Sequence, residues 1–167
     1  HGRIGRSSHQ GYVEEIAVPA IIRPSTPLSI GVRRAELCQL PDLPLTLLVA
    51  MGFEDDQLPK LWGRNMWQVG PPRMSTEWPP EATVAWLAHG NHLWIRTPAW
   101  SLLQTDGETA RLYVKPDDRW EVSDIAARRD DIVDQILALA PQLRIAADQA
   151  ARSSLPNLEP ALTSLQR

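Results

Sequence analysis

Residues 83–115, TVAWLAHGNHLWIRTPAWSLLQTDGETARLYVK, contain short apolar runs separated by turn sequences. His89-Gly90-Asn91-His92 is typical of a tight turn, and Asp106-Gly107 is a strong hairpin signal. Three or four consecutive antiparallel strands fit this pattern. The predicted strands are Thr83–Ala88, Leu93–Arg96, Trp100–Gln104 and Thr109–Lys115.

After Pro116 the apolar residues follow a helical period. Ser123 is a suitable N-cap for the helix that begins there. The apolar positions of this helix are Ile125, Ile132, Val133, Ile136, Leu137 and Ala140. Pro141 either kinks the helix or opens a second one that runs through Ala151. Strands followed by helices predict an α+β fold, with a small mixed sheet followed by C-terminal helices.

The N-terminal part of the chain is punctuated by prolines. Tyr12–Ile22 contains β-branched residues in partial alternation, which predicts a strand that ends near Pro19. Leu43–Met51 is a short buried helix or strand, and periodicity alone does not distinguish the two. We expect a mobile arm over residues 1–10, a single α+β domain over residues 11–151 and a tail over residues 152–167.

Composition narrows the class of protein without identifying a function. The chain has 167 residues, 17 basic against 20 acidic side chains and one cysteine, Cys38. The net charge of −3 gives no bulk attraction to a polyanion such as DNA. A lone cysteine forms no internal disulfide, and the longest apolar run, Leu43–Phe53, is too short to span a bilayer. These features predict a cytoplasmic protein without an integral membrane segment.

Few side chains mark a catalytic or metal site by their spacing. His89 and His92 lie three residues apart, where an imidazole can serve as a general base, but a metal would need a further ligand. Two ordinary histidines in an exposed turn explain the same pattern. Glu54-Asp55-Asp56 and Asp117-Asp118 suit either Mg²⁺ or solvated loops. We predict no resident metal site.

Arginine and tryptophan dominate the basic and aromatic residues, with fifteen of seventeen basic side chains arginine and seven tryptophans. Aromatic rings interleaved with guanidinium groups suit single-stranded nucleic acid. Trp86 and Trp94, however, lie in apolar strand contexts that favour a packed core. A separate cluster, Arg23, Arg33 and Arg34, flanks a proline-rich loop and can cradle phosphate.

The segment 13–27, VEEIAVPAIIRPSTP, resembles the opening of the ParB/sulfiredoxin superfamily. Members begin with a strand of the type V-x-E-I-x-V-x-x-I, followed by R/K-P and a proline and arginine turn. The matching residues are Ile16, Val18, Ile21, Arg23, Pro24 and Pro27, with Arg33-Arg34 following. Within that superfamily the chain is most similar to the short plasmid-encoded fertility-inhibition proteins.

This resemblance implies a ParB/sulfiredoxin-like fold and a factor that blocks conjugative transfer of DNA, including T-DNA, through type IV secretion. It implies an ATP-regulated DNase that uses ATP and Mg²⁺ and docks on secretion coupling components at the bacterial inner membrane. The phosphate-binding candidates are then Arg23, Arg33, Arg34 and Arg96. The catalytic candidates are Glu36, His89 and His92.

Two other function classes fit the same composition. One is a non-enzymatic interaction module that binds a secretion component or nucleic acid through the Trp/Pro/Arg-rich central region. The other is a small regulator that binds nucleic acid without cutting it. A phosphate site whose arginines and histidines converge would favour the enzyme over both.

Overall fold

A computed structural model describes residues 12–22, 37–54, 63, 65–66, 84–148 and 155–165. The chain divides into two compact units. The sheet unit includes the described residues 12–19, 86–139 and 159–165. The second unit includes residues 20–22, 37–54, 63, 65–66, 84–85, 140–148 and 155–158.

Four consecutive strands form one sheet in the order β1-β2-β3-β4. Their bounds are β1 Ala85–His89, β2 His92–Arg96, β3 Trp100–Thr105 and β4 Arg111–Val114. Both predicted turns are confirmed, because Gly90 at φ +55° and Gly107 at φ +80° occupy the left-handed backbone region. The expectation of a mixed sheet is wrong, since the sheet is antiparallel. Short turns between successive strands permit antiparallel pairing only.

The two faces of the sheet differ in chemistry because side chains alternate along each strand. Ile95, Leu102 and Leu112 pair across β2, β3 and β4 and are all completely buried. Ile132 and Ile136, which the helical period singled out, are also completely buried. These residues form the apolar core of the sheet unit.

The helical region after β4 is shorter and more broken than the sequence predicts. A 3₁₀ turn over Ala126–Arg128 precedes α3, Asp130–Leu137. Arg129 adopts φ −138° and ψ 51°, which interrupts a continuous helix. The predicted Ser123 cap is wrong, because the N-caps are Ile125 and Arg129 and neither makes a side-chain cap hydrogen bond. Asp124 Oδ1 instead accepts hydrogen bonds from the backbone N–H of Leu112 at 3.0 Å and of Ala126 at 2.9 Å.

The predicted strand over Tyr12–Ile22 is wrong. Residues Val13–Ile16 form a single helical turn, α1, and residues 17–22 have no regular structure. The Ala17 N–H donates to the Val13 carbonyl at 2.8 Å, and the Val13 N–H donates to Glu121 Oε2 at 2.9 Å. The conformation of this segment therefore depends on a residue more than a hundred positions away.

Residues 155–165, which sequence patterns assign to a tail, include a further helical turn, α5, Pro160–Thr163. Leu162 is 1% exposed, and Trp100 Nε1 donates a hydrogen bond to the Ala161 carbonyl at 2.7 Å. The Ala99 N–H approaches the Leu162 carbonyl at 3.4 Å. Helix α5 therefore packs as part of the sheet unit.

The second unit contains α2, Asp42–Ala50, and α4, Ala140–Asp148. The open choice for Leu43–Met51 is thus decided in favour of a helix, but the expected burial of this segment is wrong, because Thr46 alone of these residues is buried. Pro141 opens a second helix as one alternative predicts. Thr46 is fully buried, donates to the Asp42 carbonyl at 2.7 Å and accepts from the Met66 N–H at 2.9 Å. A Cβ on Gly63 would lie 2.1 Å from the Pro41 carbonyl oxygen, so this close approach requires glycine.

Candidate functional site

A row of polar residues crosses the face of the sheet opposite the apolar core. Arg96 on β2 pairs with Ser101 on β3, and Ser101 pairs with Tyr113 on β4. Ser101 is fully buried and Tyr113 is 3% exposed. The row arises because these residues occupy the alternate positions to Ile95, Leu102 and Leu112.

Glu121 is the anionic centre of this buried polar cluster. Its Oε1 accepts a hydrogen bond from Ser101 Oγ at 2.7 Å and lies 3.2 Å from Lys115 Nζ. The side chains of Lys115 and Glu121 are only 4% and 1% exposed. A buried carboxylate is tolerated where opposite charge and hydrogen-bond donors replace its hydration, as they do here.

The other polar atoms of the cluster are also satisfied. Ser101 Oγ accepts from Trp94 Nε1 at 3.0 Å while donating to Glu121. Lys115 Nζ donates to the carbonyls of Asp118 and Arg119 at 2.7 and 3.2 Å. A hydroxyl donating to a carboxylate is a pair used in nucleophilic catalysis. Here Ser101 is fully buried, so the pair stabilises the fold and is not accessible to a substrate.

The buried position of the Glu121 carboxylate requires a strained backbone conformation at this residue. Its φ of 55° lies in the left-handed region, which is uncommon for residues other than glycine, asparagine and aspartate. Asp118 supports the turn, because its two carboxylate oxygens accept from the backbone N–H groups of Val122 at 3.0 Å and Ser123 at 2.9 Å. The Asp117-Asp118 pair thus supplies a structural carboxylate.

Burial shifts the proton affinity of the surrounding groups. It lowers the pKa of Lys115, although the Glu121 carboxylate opposes the change. Burial likewise lowers the pKa of Arg96 to about 10, again opposed by Glu121. Burial raises the pKa of Tyr113 to about 12, and the nearby Arg111 partly opposes this shift. All three shifts disfavour the charged form, as removal from water requires.

The phenol of Tyr113 provides a test of this desolvation. In a Tyr12→Phe variant, Tyr113 is the remaining tyrosine, and we expect its phenolate absorbance to appear with a pKa above the ordinary 10.0, because burial persists although the smaller contribution of Tyr12 is lost. The folded state then holds the proton more tightly than the unfolded state, so this group reduces stability as pH rises from about 10 to about 12. Ionisation near pH 10 while circular dichroism still reports a folded chain would contradict the burial.

Of the residues predicted to bind phosphate or to catalyse, His89, His92 and Arg96 lie among the described residues. Arg23, Arg33, Arg34 and Glu36 lie outside the described residues. His89 and His92 flank the β1–β2 turn, and His92 Nδ1 lies 3.1 Å from Thr105 Oγ1. Arg96 lies four residues further along β2, roughly 13 Å away for extended backbone.

Arg96 is engaged by the chain itself. Its Nη1 donates to the carbonyl oxygens of Thr97 at 2.6 Å and Trp100 at 3.0 Å. This arrangement braces the β2–β3 turn. Across residues 12–22, 37–54 and 84–148 and the other described positions, no group of three His, Cys, Asp or Glu side chains is placed to hold a metal ion.

An open pocket of about 180 Å³ lies between α1 and the turn that follows β4. Val13, Glu14 and Ala17 line it on the α1 side, and Arg119 and Trp120 line it on the other. Trp120 is 55% exposed, and the Arg119 guanidinium lies 4.9 Å from the centre of its ring. The pocket therefore combines an apolar wall with one side chain of each charge.

Sequence patterns did not identify Ser101, Lys115 and Glu121 as a cluster. One signal was present: Lys115 is one of only two lysines among seventeen basic residues. A lysine where the chain otherwise uses arginine indicates a position at which a compact ammonium ion fits and a planar guanidinium does not. The partners of Lys115, however, depend on tertiary contacts.

Comparisons with known proteins identify no family. No family model and no curated protein matches the chain. A similar solved structure is a Bacteroides thetaiotaomicron sulfatase from a locus for the metabolism of multiple glycosaminoglycans. The similarity covers 60% of this chain and 25% of that one, at 16% identity and a TM-score of 0.43. The chain thus spans about a quarter of that protein.

Among the described residues, none of the helices combines the length and apolar character needed to cross a membrane.

Proposed function

We propose that this chain is a non-enzymatic interaction module that binds a protein partner at the α1–Trp120 pocket, defined by Val13, Glu14, Ala17, Arg119 and Trp120. The observation that carries the proposal is Trp120, a large apolar side chain that is 55% exposed beside an open pocket. Tryptophan and arginine are the residues most often found at energetically dominant positions of protein interfaces. Here the two are adjacent and in contact.

The size of the pocket supports a protein partner. Ligand sites for small molecules usually enclose roughly 300–1,000 Å³. At about 180 Å³, this open pocket is better suited to a single apolar side chain that projects from a larger surface. We therefore expect the partner to insert one aliphatic or aromatic anchor, with the rest of its contact made around the rim.

The walls of the pocket supply both apolar area and charge. Trp120 lines the pocket and is 55% exposed. Single exposed apolar residues are normal, but a large one that lines a concavity favours a contact surface. Glu14 and Arg119 offer one charge of each sign, which suits the polar flank of a peptide better than a polyphosphate backbone.

The fertility-inhibition function and the ParB/sulfiredoxin-like fold remain predictions from resemblance. The interaction module is the alternative to that hypothesis, and the pocket supports it, with a type IV secretion component as one of its two predicted partner classes. The DNase, ATP and Mg²⁺ expectations depend on Arg23, Arg33, Arg34 and Glu36, which are outside the described residues.

The test is selection of peptides from a displayed random library on the full chain, followed by affinity measurement on variants. We expect selected peptides to share one apolar anchor and to lose roughly 30-fold or more in affinity on Trp120→Ala. Leu87→Ala, an exposed leucine outside the pocket, is the control and should leave affinity unchanged. Equal binding to the wild type and Trp120→Ala would remove the pocket from the function.

A second assay tests the non-enzymatic part of the proposal. Purified protein is incubated with plasmid DNA and Mg²⁺, with and without ATP. We expect intact DNA under both conditions. Cleavage that persists through purification and requires the protein would contradict a non-enzymatic module and favour the nuclease expectation.

A further inference from the structure

We infer that a second copy of this chain packs on the outer face of α2, so that the protein self-associates as a two-fold dimer. The contact surface is an apolar stripe, defined by Leu40, Leu43, Leu47 and Met51. The stripe shares no residue with the α1–Trp120 pocket, so the dimer does not depend on the proposed function.

The two faces of α2 are reversed relative to an ordinary surface helix. Its buried residues, Asp42 and Thr46, are polar and completely buried. Asp42 Oδ2 accepts a hydrogen bond from the Gln39 N–H at 2.8 Å, and Thr46 Oγ1 accepts one from the Met66 N–H at 2.9 Å. A surface helix normally buries its apolar residues and exposes its polar ones. The polar face of α2 is therefore the face that serves the fold of the chain.

The apolar stripe occupies the other face of α2. Its positions are three or four residues apart, which places them on one side of a helix. Both ends continue the helical path, because the Leu43 N–H donates to the Leu40 carbonyl at 3.1 Å and the Met51 N–H donates to the Leu47 carbonyl at 2.9 Å. The exposed fractions are 70% at Leu40, 36% at Leu43, 48% at Leu47 and 73% at Met51. A contiguous exposed stripe of large apolar side chains indicates an interaction surface, whereas scattered single ones do not.

The charge of this segment favours an apolar protein surface over a membrane. Residues 40–51 contain one ionisable side chain, Asp42, and it is completely buried. Helices that lie on a membrane surface combine an apolar face with lysine and arginine, and residues 37–54 contain neither. An uncharged stripe can face an identical stripe, because no like charges are brought together.

The spacing of the stripe is nearly symmetric about Leu45, which favours a second copy as the partner. Leu43 and Leu47 lie two positions to either side, and Leu40 and Met51 lie five and six positions away. In an antiparallel pair related by a two-fold axis, Leu43 of each copy therefore faces Leu47 of the other, and Leu40 faces Met51. Every apolar position meets another, as a self-complementary two-fold interface requires.

The length of the stripe limits the strength of the dimer. Residues 40–51 span about 18 Å at the rise of an α-helix. A pair of helices of this length buries less than the ~1,200 Å² of total surface at which stable interfaces begin. We therefore expect a weak dimer whose population depends on protein concentration.

Sedimentation equilibrium of the full chain, from about 1 µM to about 1 mM, tests for such a weak dimer. We expect the average mass to rise from the monomer value toward the dimer value. Leu43→Glu/Leu47→Glu should weaken association at least ~100-fold, because it places unpaired like charges in the interface. Ile145→Glu is the control: Ile145 is 52% exposed on α4, outside the stripe, and this variant should self-associate like the wild type.

A mixing experiment separates loss of the interface from loss of the fold. Leu43→Glu/Leu47→Glu and Leu43→Lys/Leu47→Lys should each remain monomeric alone and should associate one to one at low salt when mixed, because opposite charges then meet across the interface. A mixture that stays monomeric while circular dichroism shows both variants folded would overturn the inference. So would a wild type that stays monomeric up to about 1 mM, including one that instead binds phosphatidylcholine vesicles through the stripe.

Discussion

Glu121→Ala is expected to lower the free energy of unfolding by about 3–5 kcal/mol, because it leaves a buried ammonium ion without its counter-charge. Lys115 is 4% exposed and lies 3.2 Å from Glu121. The same substitution leaves the Ser101 hydroxyl, fully buried, without its acceptor. Chemical denaturation of the full chain measures the change.

Matched variants separate the effect of the Glu121 charge from the effect of its side-chain volume. Glu121→Gln keeps the shape but removes the charge and replaces one of the two acceptor oxygens with an NH2 donor. Because the other acceptor remains, its loss of stability should be smaller than that of Glu121→Ala. Glu108→Gln makes the same change at a side chain that is 61% exposed, where the effect should be below about 1 kcal/mol. Equal effects at the two positions would show that Glu121 is not the buried centre described above.

A double variant tests whether the ion pair acts as a unit. Replacing both Lys115 and Glu121 with methionine removes the two charges together, and the combined loss should be smaller than the sum of the single losses. Part of the loss persists because the Val13 N–H and Ser101 Oγ still lack their acceptor. Additive losses would mean that the two charges do not stabilise one another.

The sheet could be predicted from the sequence because its determinants are local. Gly90 lies in the two-residue turn between β1 and β2, and Gly107 lies in the five-residue connection between β3 and β4. The period of Ile132 and Ile136 identifies the buried face of α3. The same is not true of α1. Tyr12 and Val13 contact Arg111 and Glu121, which are 99 and 108 positions away. Alternation within Tyr12–Ile22 carries no information about those partners.

The candidate site could not be predicted from the sequence for a related reason. Glu121 lies between Trp120 and Val122, in a segment that resembles an ordinary solvated loop. Its role depends on a left-handed backbone at φ 55° and on Ser101, twenty residues earlier. Neither is visible in spacing or composition. Local clusters of arginine and histidine in the sequence predict a site. The buried charges of the structure, by contrast, are brought together by contacts between residues far apart in the chain.

Leu162→Ala is expected to destabilise the sheet unit by about 2.7–5 kcal/mol, the range for a leucine truncated in a packed core. Leu162 is 1% exposed, although it lies in a segment whose sequence predicts a tail. Helix α5 contains four residues, fewer than the window over which an apolar period becomes visible. One side chain therefore tests whether the last described turn belongs to the core.

The control is the same substitution at Leu87, which is 44% exposed on β1. Because Leu87 keeps much of its contact with water in the folded state, its truncation should cost about 1 kcal/mol or less. A small effect at both leucines would mean that residues 159–165 do not contribute to stability, as a tail would not. A large effect at Leu162 alone would show that α5 packs against the core, because truncating a side chain in an unpacked tail leaves no cavity. The Trp100 hydrogen bond to Ala161 is then the contact that orients α5, and Trp100→Phe should weaken the unit further by about 1 kcal/mol.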